Sequence, residues 1–188
     1  MRLFVGIPLA PAVTRELTAT SARLRSDGDG LRWSKPESWH VTVQFLGNVA
    51  AEQYECLVAR LRELNVPPVP ISLEGLGCFD RAGVFFAGVK ATPELLLLQQ
   101  RVAAATGACG FVADARPYRP HITLARSKGK GRVQGLAALK ARTRIAPKFT
   151  RFVAEEFLLY ESFPGPAGSD YEVRARFPLN SGSKPRRD

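Results

Sequence analysis

Histidine is almost absent from this chain. Only His40 and His121 occur in 188 residues. A zinc site built on them would need a third or fourth ligand, and no Cys, Asp or Glu stands at a recognised ligand spacing around either. Nothing in the sequence therefore requires a metal or any other cofactor. Cysteine is sparse as well: Cys56, Cys78 and Cys109 are far apart, with no C-x-x-C. An odd, scattered set argues against a disulfide framework, fits a reducing cytosol and reads as three small core residues. A cytoplasmic protein is the expectation. No apolar run approaches the length of a membrane span. The N-terminal run Arg2–Ile7 meets Pro8 and Pro11, which favours a first strand entering a helix over a signal peptide. Acidic residues are missing between Ala115 and Ala154, where eleven Arg or Lys residues fall. The remaining sixteen basic and seventeen acidic residues nearly cancel, so the net charge of +10 sits in that stretch. Such a surface favours anionic partners.

What is present is a repeated order of elements. In the first half, Arg2–Ile7 reads as a strand. Val13, Leu17 and Leu24 mark one helical face. Asp27-Gly28-Asp29-Gly30 ends that helix. Trp39–Leu46 is a second strand, and Tyr54, Leu57, Val58 and Leu61 mark a second helix. In the second half, Gly83–Val89 is a strand. Thr92 and Pro93 start a helix whose apolar face is Leu95, Leu98 and Val102, with Gly107 ending it. His121–Ala125 is a strand, and a weaker helix interrupted by Gly135 covers Val133–Ala141. His40 and His121 differ by 81 positions, as do Phe4 and Phe85, and Leu17 and Leu98. The expectation is one bilobal α+β domain over residues 1–180, with two antiparallel sheets flanking a central cleft and helices outside. Extra strands at Val69–Leu76, Phe152–Tyr160 and Glu172–Phe177 would complete the sheets. Pro67, Pro68 and Pro70 form a stiff link between the halves. Residues 181–188 lack apolar side chains and read as a frayed basic tail.

The two histidines sit in matching tetrapeptides, His40-Val41-Thr42-Val43 and His121-Ile122-Thr123-Leu124. In a strand, alternate side chains share a face, so each His and Thr project together, roughly 7 Å apart along the strand. Two imidazoles from equivalent places in a duplicated fold face each other across the cleft. One can take a proton from an attacking water while the other gives one to a leaving oxygen. Phosphodiester transfer needs both movements on opposite sides of phosphorus. The Thr hydroxyls can donate to non-bridging phosphate oxygens, and Arg126 can add a cation. The competing reading is a non-catalytic RNA-binding module using the basic 115–154 segment. It predicts steep salt dependence and indifference to loss of His40.

The chain resembles the two-histidine phosphoesterase superfamily. Within it, the segments Arg32-Trp33, Pro36–Gly47 and Arg116–Arg126 are similar to the two motifs of the RNA 2′,3′-cyclic phosphodiesterases, historically called 2′-5′ RNA ligases. The resemblance implies hydrolysis of RNA 2′,3′-cyclic phosphate ends to 2′-phosphates, with the reverse 2′-5′ ligation chemically available. It implies His40 as proton donor and His121 as proton acceptor. It also implies Thr42, Thr123, Arg126 and Phe45 as substrate- and phosphate-binding residues. Phe45 has the parity of Val43 and Val41, so a regular strand would bury it. Contact with a base needs a bulge or the strand's end. A monomer without membrane association, acting on RNA with a cyclic phosphate end, is the expectation.

Overall fold

The structure, a computed structural model, describes residues 1–112, 114–127, 132–143, 147–165 and 168–180. The expected tail at 181–188 lies outside the described residues. Ten strands and four α-helices appear among them. The first half runs β1 (Arg2–Pro8), α1 (Pro11–Leu24), β2 (Leu31–Trp33), β3 (His40–Asn48) and α2 (Ala51–Arg62). Next come β4 (Val69–Ile71), β5 (Leu73–Phe79), β6 (Val84–Val89), α3 (Pro93–Gly107), β7 (His121–Ser127) and α4 (Arg132–Arg142). The chain closes with β8 (Phe152–Ala154), β9 (Glu156–Gly165) and β10 (Gly168–Pro178).

Two four-stranded antiparallel sheets result, ordered β10-β9-β1-β3 and β2-β7-β6-β5, with β4 and β8 paired separately. The class is α+β, as the sequence indicates. Val69–Leu76 is not one strand, however. The chain leaves the β4–β8 pair after Ile71 and enters the second sheet at Leu73. Phe152–Tyr160 divides in the same way at Glu155. The three-residue β2, too short to show a period, pairs with β7 and so joins the second sheet although it comes from the first half.

Helices form where the apolar period demands it. Val13, Leu17 and Leu24 are buried on α1, and Leu57, Val58 and Leu61 on α2. On α3, Leu95, Leu98 and Val102 are fully buried, each stabilising the fold by about 1.5–3 kcal/mol. Thr92 caps this helix, its hydroxyl accepting from the Leu95 N–H at 3.2 Å. Gly107 is the last residue of α3, but the left-handed backbone that turns the chain comes later, at Gly110 (φ 86°). α4 runs through Gly135 without interruption. A Cβ there would collide with the Asp29 carbonyl, so the glycine permits close packing of α4 on that loop. One buried core cluster joins both sheets and all four helices.

Cys56 on α2 and Cys109 just past α3 form a disulfide. This corrects the expectation of three unpaired thiols. Helix packing brings together two residues 53 apart in sequence, which spacing along the chain does not encode. Cys78 on β5 is free. Among the described residues, no helix is long and apolar enough to cross a membrane.

Candidate active site

The two tetrapeptides open β3 and β7. These strands approach each other in the middle of the molecule, and both line one cleft of about 1330 Å³. In β3, Val41 is buried while His40 and Thr42 face the cleft. In β7, Ile122 is buried while His121 and Thr123 face it.

Each strand then breaks its alternation at the same point. β1 pairs Gly6 with Thr42 and Val5 with Gln44, passing over Val43. β6 pairs Phe86 with Thr123 and Phe85 with Ala125, passing over Leu124. An unpaired extra residue of this kind is a β-bulge, and it reverses the parity of the residues beyond it. Val43 and Gln44 are consecutively buried, as are Leu124 and Ala125. Phe45 and Arg126 therefore return to the cleft face. The bulge removes the parity conflict that a regular strand poses for Phe45, whose side chain is 69% exposed.

The same registers refine the repeat. Pro8 opposes His40 and Gly88 opposes His121, a shift of 80 between β1 and β6 against 81 between β3 and β7. Phe85 thus matches Val5, both fully buried, and Phe4 matches Val84. The identity of Phe4 and Phe85 at an offset of 81 has no structural counterpart.

Both imidazoles are oriented by one device. Nδ1 of His40 donates to the Ser38 carbonyl at 2.8 Å, and Nδ1 of His121 donates to the Arg119 carbonyl at 2.7 Å. A carbonyl only accepts, so each Nδ1 carries hydrogen and each Nε2 is the ring nitrogen not held by the backbone. Thr42 Oγ1 lies 3.0 Å from His40 Nε2. Its hydroxyl donates to the neutral ring and accepts from the protonated one.

Aromatic rings back each histidine. Phe4, Tyr160 and Tyr171 surround His40, with ring centroids 4.5, 5.6 and 5.2 Å away. Phe79 and Phe86 flank His121 at 5.0 and 5.5 Å. This apolar shelter disfavours the charged imidazole. Burial pulls His40 down to about 4, against the Ser38 hydrogen bond, with a smaller lowering from His121 across the cleft. Burial also lowers His121, opposed by the Arg119 carbonyl and assisted by the positive charge of Arg126.

Tyr118, in the loop entering β7, donates its phenol hydrogen to the Thr42 carbonyl at 2.8 Å. It joins the two motifs directly. The shelf rings and this tie were not singled out from sequence. Phe4 alternates with core residues Leu3 and Val5, so its strand gives no sign that its own face is sheltered.

Among the described residues, the basic segment does not form one surface. Arg116, Arg119 and Arg126 line the cleft. Lys140 is taken up by Asp80 of the lining at 2.6 Å, and Arg142 donates to the carbonyls of Leu24 and Arg23. Lys128, Lys130 and Arg144 lie outside the described residues. Among those described, no three His, Cys, Asp or Glu side chains gather as a metal-binding group.

The class defined here is a duplicated α+β protein with two carbonyl-anchored histidines in a single central cleft. The family model of the 2′-5′ RNA ligase superfamily matches residues 9–161, and the chain belongs to that superfamily. An RNA 2′,3′-cyclic phosphodiesterase of Archaeoglobus fulgidus is 31% identical over 175 residues, 92% of this chain and 97% of that protein. One from Escherichia coli is 29% identical over 163 residues, 86% of each chain. The fold is also that of Escherichia coli LigT crystallised with 3′-AMP, at a TM-score of 0.79 and 23% identity, covering 96% of this chain and 98% of that one.

Proposed function

We propose that this protein hydrolyses RNA 2′,3′-cyclic phosphate ends to 2′-phosphates by paired-histidine acid–base catalysis, without a metal ion. The observation that carries the reading is the matched pair of imidazoles. Each has Nδ1 held by a carbonyl two residues upstream and Nε2 on one shared cleft, that of His40 beside the Thr42 hydroxyl at 3.0 Å. The similarity to RNA 2′,3′-cyclic phosphodiesterases supplies the substrate class.

In this reading the cyclic phosphate sits between the histidines, with Thr42, Thr123 and Arg126 on its non-bridging oxygens. His121 Nε2 takes a proton from water as the water oxygen bonds to phosphorus. The bond from phosphorus to the 3′ oxygen breaks, and His40 Nε2 protonates that oxygen. Charge on the non-bridging oxygens meets fixed donors that need no reorganisation. The buried His40 is costly to protonate in the empty cleft. A phosphate anion beside it offsets that cost, because an opposite charge favours the charged form. Phe45 stands at the exposed edge beside Phe4, where a base can stack. A 5′-hydroxyl attacking the same phosphorus in place of water, with the same two proton transfers and the same 3′ leaving oxygen, gives 2′-5′ ligation.

The test is turnover of an oligonucleotide with a 2′,3′-cyclic phosphate end in excess chelator, with the product phosphate located. His40→Ala and His121→Ala should each lose about 10²–10⁴-fold, the range for one general acid or base. Replacing the 3′ bridging oxygen by sulfur separates the roles, since a thiolate leaves without a proton. His40→Ala should recover most activity on that substrate, and His121→Ala should not. Full turnover in both alanine variants would end the proposal.

A further inference from the structure

The cleft is lopsided. Its first-sheet wall is aromatic, with Phe45 and Tyr171 at the surface. Its second-sheet wall carries Arg32, Arg81, Arg119 and Arg126. The other charged groups on the lining are neutralised: Lys35 pairs with Asp170, Arg116 with Asp114, and Asp80 with Lys140. Among the described residues, no acid pairs with any of the four arginines.

Two of the four are forced together. In the β2–β7 ladder, Arg32 is directly opposite Arg126. Directly opposed residues share a face, and like charges so placed are destabilising. The nearest acid along the chain gives no relief. Asp29 accepts from the Leu31 N–H and from the Trp33 indole, both at 2.8 Å. Those bonds hold β2, and with it Arg32 opposite Arg126. An anion between the two guanidiniums turns the arrangement from unfavourable to favourable.

The reacting phosphate, which Arg126 contacts in the reading above, leaves Arg32 on its outer side without an anion. β2 meets β7 only at Ala125–Ser127, the end far from His121. An anion flanked by Arg32 and Arg126 is displaced outward from the histidines. At an RNA end with a 2′,3′-cyclic phosphate, the nearest further anionic group is the phosphoryl at the 5′ position of the terminal nucleotide. We infer that Arg32, with Arg126, forms a second phosphate site for the 5′-phosphoryl group of the terminal nucleotide. That group is either a free monophosphate or the linkage to the preceding residue of an RNA. The inference rests on the hydrolase reading for the placing of the terminal phosphate. It adds that the enzyme selects nucleotides extended on their 5′ side.

Binding of products tests this without turnover. Wild-type protein is titrated with adenosine 2′-monophosphate, adenosine 2′,5′-bisphosphate and a dinucleotide ending in a 2′-phosphate. The bisphosphate and the dinucleotide should each bind about tenfold tighter than the monophosphate. That advantage should collapse toward unity in Arg32→Gln and in Arg32→Met, both checked for folding by thermal melting. The dependence of log affinity on log salt should fall by about 0.7 for the extended ligands, as expected for one lost phosphate contact on a single strand. If only the bisphosphate gains, the site takes a terminal monophosphate; if only the dinucleotide gains, it takes the linkage. No advantage in wild type, an advantage that survives in the variants, or an equal loss for all three ligands would each overturn the inference. Should the wild type show the advantage yet hydrolyse no cyclic phosphate, the phosphate site stands and the hydrolase reading fails.

Discussion

Phe45 and Arg126 occupy equivalent places in the two sheets, each two residues beyond a residue that its partner strand passes over, and both face the cleft. One backbone device thus presents a stacking surface on one wall and a guanidinium on the other. Phe45→Ala should raise KM for a cyclic-phosphate oligonucleotide by about tenfold with little change in kcat, since base–aromatic stacking is worth about 1–3 kcal/mol. At 69% exposure its loss should leave stability within about 0.5 kcal/mol. Arg126→Gln should instead lower kcat by about 10²-fold, because in the proposed mechanism its charge meets the reacting phosphate. Steady-state kinetics and thermal melting on the two variants check the split.

The pH dependence should separate the empty cleft from the occupied one. Both imidazoles are held below the ordinary 6.5 by burial, His40 to about 4. The bell in kcat/KM reports the free enzyme, so its alkaline limb should lie below pH 6.5. The limb in kcat reports the complex, where a phosphate anion favours the imidazolium, and should lie higher. Stability changes with a definite sign. The unfolded chain binds more protons than the folded one wherever these histidines are neutral only when folded. Stability is therefore fully present above pH 6.5 and declines as pH falls toward 4. Coincident limbs in kcat and kcat/KM would contradict this account.

Much of the site was legible because His-x-Thr-x is a strand-period signal. His40, Thr42, His121 and Thr123 project together wherever the strand is regular, and Val41 and Ile122 anchor the opposite face. The bulge was legible only as a need, through the parity of Phe45. Its position depends on how β1 and β6 pair, which is tertiary information. The shelf rings share that limit, because a residue buried on a sheet's second face looks like core. β2 was missed because three residues carry no period, although it places Arg32 opposite Arg126. The cysteines were misread because the sequence held no sign that α2 and the end of α3 come within bridging distance.

The Cys56–Cys109 bond closes a loop of 53 residues between two outer helices. In the chain-entropy account a loop of that length contributes up to about 4 kcal/mol. The double variant Cys56→Ser and Cys109→Ser should show a lower denaturation midpoint, and reductant should shift the wild type by a similar amount. Activity at 25 °C should be retained, because neither cysteine lines the cleft. An unchanged midpoint with and without reductant would show that the bond contributes nothing to stability in solution.

The placing of His40 also depends on the absence of a side chain at Gly6. This glycine lies opposite Thr42 in the β1–β3 ladder, on the cleft face. A Cβ there would stand 3.3 Å from His40 Cδ2, from Tyr160 Cε2 and from the Val41 carbonyl oxygen. The carbonyl belongs to the ladder and the tyrosine is clamped by stacking on Phe4 at 4.9 Å. The imidazole is the part that yields. Gly6→Ala should push the ring away by a few tenths of an ångström and strain its bond to the Ser38 carbonyl. Misplacement by 1 Å can cost about 10²-fold, so a loss in kcat of about tenfold is expected. The stability change should stay near 1 kcal/mol, because only one methyl group is added. The other sheet offers a control, since the register equivalent of Gly6 is Phe86, whose ring fits over Gly77. Gly77→Ala would meet that ring at 2.8 Å, and it should perturb the signals of His121 while leaving those of His40 in place. Imidazole NMR on the two alanine variants reads this directly. Movement of His121 rather than His40 in Gly6→Ala would contradict the packing described.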